Sequence, residues 1–455
     1  SDATTADFIA DTLRSQRLVS FYDFVNRQGI FVGVASLMRF AVSCISGGRP
    51  EGAARLAFFC LEPSDVIGNR YSLAAEDILA FNPNTGTLPV FGSKYDAEIN
   101  RGIYRRNPVL ICDSASDGNT WGLSFATMFH MANDSALFLT SDDLSNLGAN
   151  FDGWSWVKGE RTWLPLYEAK MLHLYDDRFG TYEGTELVDG KGVRAIPTPS
   201  DAQYDDPNFE PRARYWVDEA EVVAAIGDLT DVGWFLGWRD VTYAEHVRTF
   251  VASVLPVAAV NHKFPLVVSA AKPHALVALL SSMAFDYVAR QKLGGTGMSY
   301  FIVKQLAAPT PLQFETVHPW AKEPLEAWVA PRVLELVYNS YRIAAFARDL
   351  GDTGMPFRWI PERREALRAE LDAVMMHVYG LKRDEVEYVL DSFIVLRKYE
   401  EHDLGEFRTK RLVLSEYDRM AVAASTGVPY ESSLDPAPGH GPRHDSSTIP
   451  DWFQE

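Results

Sequence analysis

The sequence predicts a mixed α/β protein, on three observations. Near the amino terminus, "LVSFYDFVN", "SLMRFAVSCISG" and "ARLAFFCLEP" are short apolar and aromatic runs bounded by glycine, proline or charged turns, the pattern of partly or fully buried strands. From Pro108 to Leu312, aromatic-rich short segments alternate with polar loops. Downstream, apolar residues recur at helical spacing, with Leu367, Leu371, Val374 and Val378 defining one helix face.

In chain order, residues 1–80 read as the terminal part of an α/β domain. "YSLAAEDILAFNPNTGTLPVF" passes from a short acidic helix into a proline- and glycine-rich connector, which places a boundary between Leu79 and Val90. Residues 81–107 form that connector, with a short helix in "SKYDAEINRGIYRRNPVL". Residues 108–312 make a second region, in which Trp154, Trp156, Trp163, Tyr215 and Trp216 read first as core because tryptophan stabilises mainly by burial. Leu276, Leu280, Met283 and Tyr287 share one helical side; Gly294 and Gly295 end that pattern before a strand expected in "MSYFIVKQL". "DGKGVRAIPTPSDAQYDDPNFEPRARYWV" excludes a long helix between them. Residues 313–427 are helical, with Pro331 expected to kink the stretch Leu325 to Ala347, Gly380 to stop a helix, and Asp384 and Glu385 to start the next. Residues 428–455, rich in Pro, Gly and Ser, read as a flexible tail.

The 455 residues are 47% hydrophobic and 23% charged, which suits an ordinary globular chain of two or three domains. No apolar run approaches the roughly 18 residues of a membrane span, and no basic-then-apolar leader opens the chain, so a cytoplasmic location and no membrane partner are expected. The start at Ser1 suggests a processed or excised chain. Cys44, Cys60 and Cys112 are too sparse for a disulfide framework or a cysteine-rich zinc site and read as buried or half-buried apolar residues. The formal charge of −18 disfavours indiscriminate nucleic-acid affinity but leaves room for a local basic groove, to which Arg101 to Arg106 or Arg408 to Arg411 are candidate contributors.

Catalytic signatures are missing. There is no GxGxxG or Walker sequence, no HExxH, no compact DxD and no GxSxG; "GGTGMS" at Gly294 separates a helix from a strand more simply than it cradles a phosphate. Glu168, Asp176, Asp177 and Glu183 lack compact metal-ligand spacing, and His130, His173, His246, His262 and His377 are dispersed. "FNPNTG" lacks the second proline and the aromatic with which amino-methylating enzymes hold a flipped base, and reads as a turn. No catalytic, cofactor-binding or metal residue is therefore assigned.

Several ordered blocks nevertheless carry a resemblance. "LVSFYDFVNRQGIFVGVASLMRFAVSCISGG", "FNPNTGTLPVFGSKYDAEINRGIYRR", "LPLYEAKMLHLYDDRFGTYEG", "PRARYWV", "GWFLGWRDVTYAEHVRTFVASVLPVAAVNHKFPLV" and "LLSSMAFDYVARQKLGGTGMSYFIVKQLAAPTP" come in order, followed by "LDAVMMHVYGLKRDEVEYVLDSF" and "GEFRTKRLVLSEYD". From about Leu13 to Ala424 the chain resembles the C-terminal specificity region of large adenine-specific DNA methyltransferases, of the type IIG restriction-modification and BREX or DISARM phage-defence kinds. The resemblance implies a tail of a methyltransferase-like domain, then a target-recognition region and a helical support or spacer region. It implies that S-adenosylmethionine binds a catalytic domain absent from this chain, that the adenine leaves the duplex to react, and that the partners are double-stranded DNA and that methyltransferase domain.

On that implication the DNA-binding candidates are Lys170, His173 and Arg178; Arg239, Arg248, Asn261, His262 and Lys263; Arg290, Lys292 and Lys304; and Arg408, Lys410 and Arg411. Arginine pairs with guanine, asparagine with adenine, and lysine anchors phosphate. Bracing within the protein competes with DNA contact for each, as for Arg239 with Asp240 and Glu245 nearby, while Tyr167, Tyr175 and Phe179 read as packing. The alternative function is a protein-interaction or regulatory module of the same machinery, with defence-system proteins or a phage inhibitor as partners. Independent nuclease activity is disfavoured by the scattered acids.

Overall fold

The protein is mixed α/β, with several sheets and its helices concentrated toward the carboxyl end. The computed structural model describes residues 3–36, 38–185, 195–227, 233–269 and 272–453. Leu37 of the first resembling block and residues 189–194 of the expected loop lie outside these.

The first sheet has the order β2-β1-β3-β4, with β1 Leu18–Val25, β2 Arg39–Ile45, β3 Ala54–Cys60 and β4 Tyr71–Leu73. The apolar runs expected as strands at the amino terminus are these strands. β1 pairs antiparallel with β2 and parallel with β3. β3 is buried along most of its length, whereas nearly all of β2 is exposed, so Val42 and Ile45 meet solvent from an edge strand. Cys44 is exposed there, against the buried or half-buried place expected; an edge strand lacking a covering layer buries neither of its faces.

The second sheet runs β11-β10-β13-β5, from β5 Leu123–Ala126, β10 Trp234–Trp238, β11 Ala252–Pro256 and β13 Leu266–Ser269. The third joins β6 Asn150–Phe151, β7 Trp156–Lys158, β8 Arg161–Tyr167, β9 Trp216–Asp218 and β12 Ala259–Val260, with β8 central. Trp154, Trp156, Trp163 and Trp216 are buried in the core against this sheet, as their size and apolar area favour. Gly237 lies mid-strand in β10 because a Cβ there would come within 2.4 Å of the Phe264 ring and 2.5 Å of the Pro265 carbonyl.

Two cores result. One packs β6 to β9 with β12; the other gathers the first sheet, much of the second and the helices from Pro273 to Ala423. The helical face Leu367, Leu371, Val374 and Val378 is buried in helix Pro361–Val378. Gly380 follows at φ 70°, and Asp384 and Glu385 occupy the first turn of helix Arg383–Asp391. Leu276 to Tyr287 is two helices, Pro273–Ser281 and Met283–Lys292, broken where Ser282 caps the second by accepting from Phe285 N.

Three expectations change. "MSYFIVKQL" forms helix Tyr300–Val303, in which the Ile302 and Val303 N–H groups bond the Ser299 carbonyl rather than a neighbouring strand. Leu325 to Ala347 is helix Leu325–Val337, containing Pro331, then a turn and helix Ala344–Asp349. The stretch read as a flexible tail is fastened: Tyr430 N bonds Trp320 O, Arg443 pairs with Asp352 at 2.8 Å, and the Phe453 ring lies 4.9 Å from that of Tyr341. Its prolines and glycines make ordered turns that composition alone does not distinguish from disorder.

Candidate nucleic-acid interface

Most of the basic candidates face inward. Arg178 is 1% exposed and donates to the carbonyls of Asp206, Tyr204 and Asn339. Arg248 and Arg290 both pair with the fully buried Asp286, at 2.6 and 2.9 Å, and Arg290 also bonds the carbonyls of Ala244, His246 and Val247. Arg239 donates to the Leu172 carbonyl and lies over the Phe179 ring; burial lowers its pKa to about 10, so it stays charged. Lys292 reaches the Phe81 carbonyl and Asn82 Oδ1, and burial pushes its ammonium down to about 7. These contacts brace the fold, and a guanidinium buried against carbonyls and carboxylates is not placed to reach a phosphate.

In the segment Leu164 to Gly184, Lys170 pairs with Glu168 at 3.3 Å and lies over Tyr182. His173 stacks on Phe179, and burial, with Arg239 and Arg248 nearby, holds its imidazole well below the usual pKa, so it is neutral. Tyr167 and Tyr175 are buried, as the packing reading expects. Near the carboxyl end, Arg408 pairs with Glu365, Lys410 with Asp391 and Glu387, and Arg411 with Glu406, so acids match the basic run of that helix. Arg105 and Arg106 are likewise tied, to Asp77 and to the Tyr379 carbonyl.

The remaining candidates come together at one rim. The end of β5 leads to His130, whose ring stacks on His262 at 4.0 Å. Asn261 is buried and shapes the turn by accepting from Lys263 N, which leaves Lys263 Nζ at the surface, 2.9 Å from Asp240. Asp240 in turn receives Met298 N at its carbonyl, and Val241 bridges Gly297, so loop 240–243 is laced to the glycine-rich loop before helix Tyr300–Val303. Phe301 on that helix is 74% exposed, Val241 and Tyr243 are exposed beside the loop, and Lys304 comes next, paired with Asp113 at 2.8 Å. Segments far apart in sequence, around 130, 240, 262 and 301, are thus linked in series and carry two lysines, two histidines and bare aromatic rings along the rim. Burial lowers the His262 pKa, with His130 and Lys263 adding to the effect.

Sequence reasoning does not single out Phe301 or His130 as site residues. The signal for Phe301 is an aromatic pair directly after a glycine-rich turn; the strand expected there would hide one of the two rings. Among the described residues no group of three or more His, Cys, Asp or Glu is arranged to hold a metal ion, and no helix is long and apolar enough to cross a membrane.

No family model and no curated protein matches this chain. Among solved structures it is similar to the type IIL restriction-modification enzyme MmeI in complex with DNA, at 11% identity and a TM-score of 0.34, over 89% of this chain and 46% of that one. The chain spans less than half the length of that enzyme, and a likeness this remote decides neither fold nor activity.

Proposed function

We propose that this chain recognises and positions double-stranded DNA for N6-adenine methylation within restriction-modification or phage defence, the methyl transfer itself belonging to an S-adenosylmethionine-binding domain or subunit outside these residues. The observation that carries the reading is the rim, a series of linked segments in which His130 stacks on His262, Lys263 meets Asp240, and loop 240–243 is laced to the loop that leads to the exposed Phe301 and to Lys304. Two lysines held by single surface acids can exchange those partners for phosphates at small cost, because exposed ion pairs are worth little. The ordered sequence blocks support the same reading, and a target adenine that must leave the duplex to react needs a surface that holds the DNA in place. Fluorescence anisotropy with short duplexes across a salt series tests it: salt-dependent binding without methyl transfer by this chain alone is expected, and methylation by the chain alone would contradict the division of labour.

A second reading, a protein-interaction or regulatory module, is favoured by the first sheet. The edge strand β2 and the segment before it expose Phe31, Val32, Met38 and Val42, apolar side chains beside an open backbone edge of the kind a covering domain or protein partner occupies. Light scattering after size exclusion, with and without a candidate partner, separates the two: a stable complex combined with no DNA affinity would favour this one.

A further inference from the structure

Beside the rim, a cavity of about 410 Å³ opens between the edge strand β5 and helix Tyr300–Val303. Its wall is aromatic: the Phe125 and Tyr300 rings lie parallel, 5.4 Å apart with 3° between their planes, and Phe301 stands bare at the mouth. Lys304 and Asp113 line the opening as a pair. The strand edge adds polar specificity. Asn119 accepts from Leu123 N and donates to Leu123 O, both at 2.8 Å, which shows that Leu123 turns its main-chain groups away from the neighbouring β13. By the two-residue period of a strand, Phe125 turns one N–H and one C=O to that same side.

Flat apolar walls, a donor and an acceptor on one edge, and a cation at the entrance match a single chemical class. We infer that this cavity receives a nucleobase turned out of the stack of the bound DNA, with Phe301 entering the space the base leaves. This rests on the DNA-recognition reading above and adds to it a second structural task, holding one unstacked base at the recognition surface. The volume lies within the range of small-molecule pockets and accommodates one base. Aromatic stacking tolerates any base, and each of the four offers both an acceptor and a donor on its pairing edge to the strand edge. An apolar side chain in a base step partly unstacks it, and the cavity wall offers new stacking partners to the displaced base.

The test compares the chain's affinity for a duplex carrying one unpaired 2-aminopurine with its affinity for the fully paired counterpart. An unpaired base has already met most of the unstacking cost, so the bulged duplex should bind about tenfold more tightly. Phe301→Ala and, separately, Ser124→Trp, which fills the cavity from its exposed edge, should each erase that preference; thermal unfolding of both variants checks their folding. Equal affinity for the two duplexes, or a preference that survives both substitutions, overturns the inference and leaves DNA recognition standing. No binding to either duplex overturns both.

Discussion

Arg248 Nε donates to Asp286 Oδ2 at 2.6 Å, and the carboxylate it meets has no exposed surface. The pair joins the segment around residue 248 to helix Met283–Lys292, and Arg290 holds the other carboxylate oxygen. Replacing Arg248 with Met leaves a buried charge with half its compensation. A loss of roughly 3 kcal/mol in urea unfolding is expected, the lower end for a broken buried pair because Arg290 remains. Destabilisation with no selective change in DNA affinity is the signature of bracing.

Lys263 should behave in the opposite way. Its side chain is 45% exposed and its bond to Asp240 is a surface pair, so Lys263→Ala should change stability by less than about 1 kcal/mol. If its ammonium meets a phosphate, the log–log salt dependence of duplex binding should fall by about one contact, and related sequences should weaken evenly. Titrations of the variant and the parent chain across a salt series measure both quantities.

Gly237→Ala tests the packing of the second sheet under the rim. The added methyl meets the Phe264 ring and the Pro265 carbonyl, and Pro265 directly precedes β13. Overpacking of this kind typically costs about 1–3 kcal/mol, and backbone on one side of the clash gives little room to relax. A lowered unfolding midpoint is expected, which chemical denaturation reads directly.

The helical carboxyl-terminal region was the most legible part of the chain, since Leu367, Leu371, Val374 and Val378 follow the helical period and Gly380 supplies the left-handed residue that ends it. The amino-terminal strands were legible for the matching reason, β-branched and aromatic runs between turns. Tyr300 to Val303 was not, because four apolar residues carry too little periodicity to separate strand from helix. The site was harder still. A basic residue looks the same in sequence whether it ends like Arg178, spent on three carbonyls, or like Lys263, at the surface; only the partners contributed by distant segments tell them apart.

The share of stability that rests on Asp177 and Glu210 should fall as the pH rises through neutrality. Burial pushes the Asp177 carboxyl from 3.8 up to about 7, with Arg178 opposing the shift, and pushes Glu210 from 4.5 up to about 8, with Arg342 opposing it. Between each ordinary value and its raised one, the folded chain holds a proton the unfolded chain has lost, so raising the pH favours unfolding across that window. Groups whose pKa burial lowers act in the other direction, because the unfolded chain then holds the extra proton: His173 and His262 below neutrality, and Lys292, lowered to about 7, above it. Urea midpoints of Asp177→Asn and the parent chain at about pH 5 and about pH 8 isolate this share: the variant should lose less, or gain more, between the two than the parent does.

Hydrogen–deuterium exchange of the chain with and without duplex DNA tests the central claim most directly, because it locates the contact surface without assuming which side chain makes it. Slowed exchange at residues 127–131, 240–243, 261–263 and 294–304 is predicted, with the pairs around Arg248, Arg290 and Arg408 to Arg411 unaffected. Protection confined to the carboxyl-terminal helices, or none at these four segments in a complex that has formed, would contradict the rim as the DNA-recognition surface.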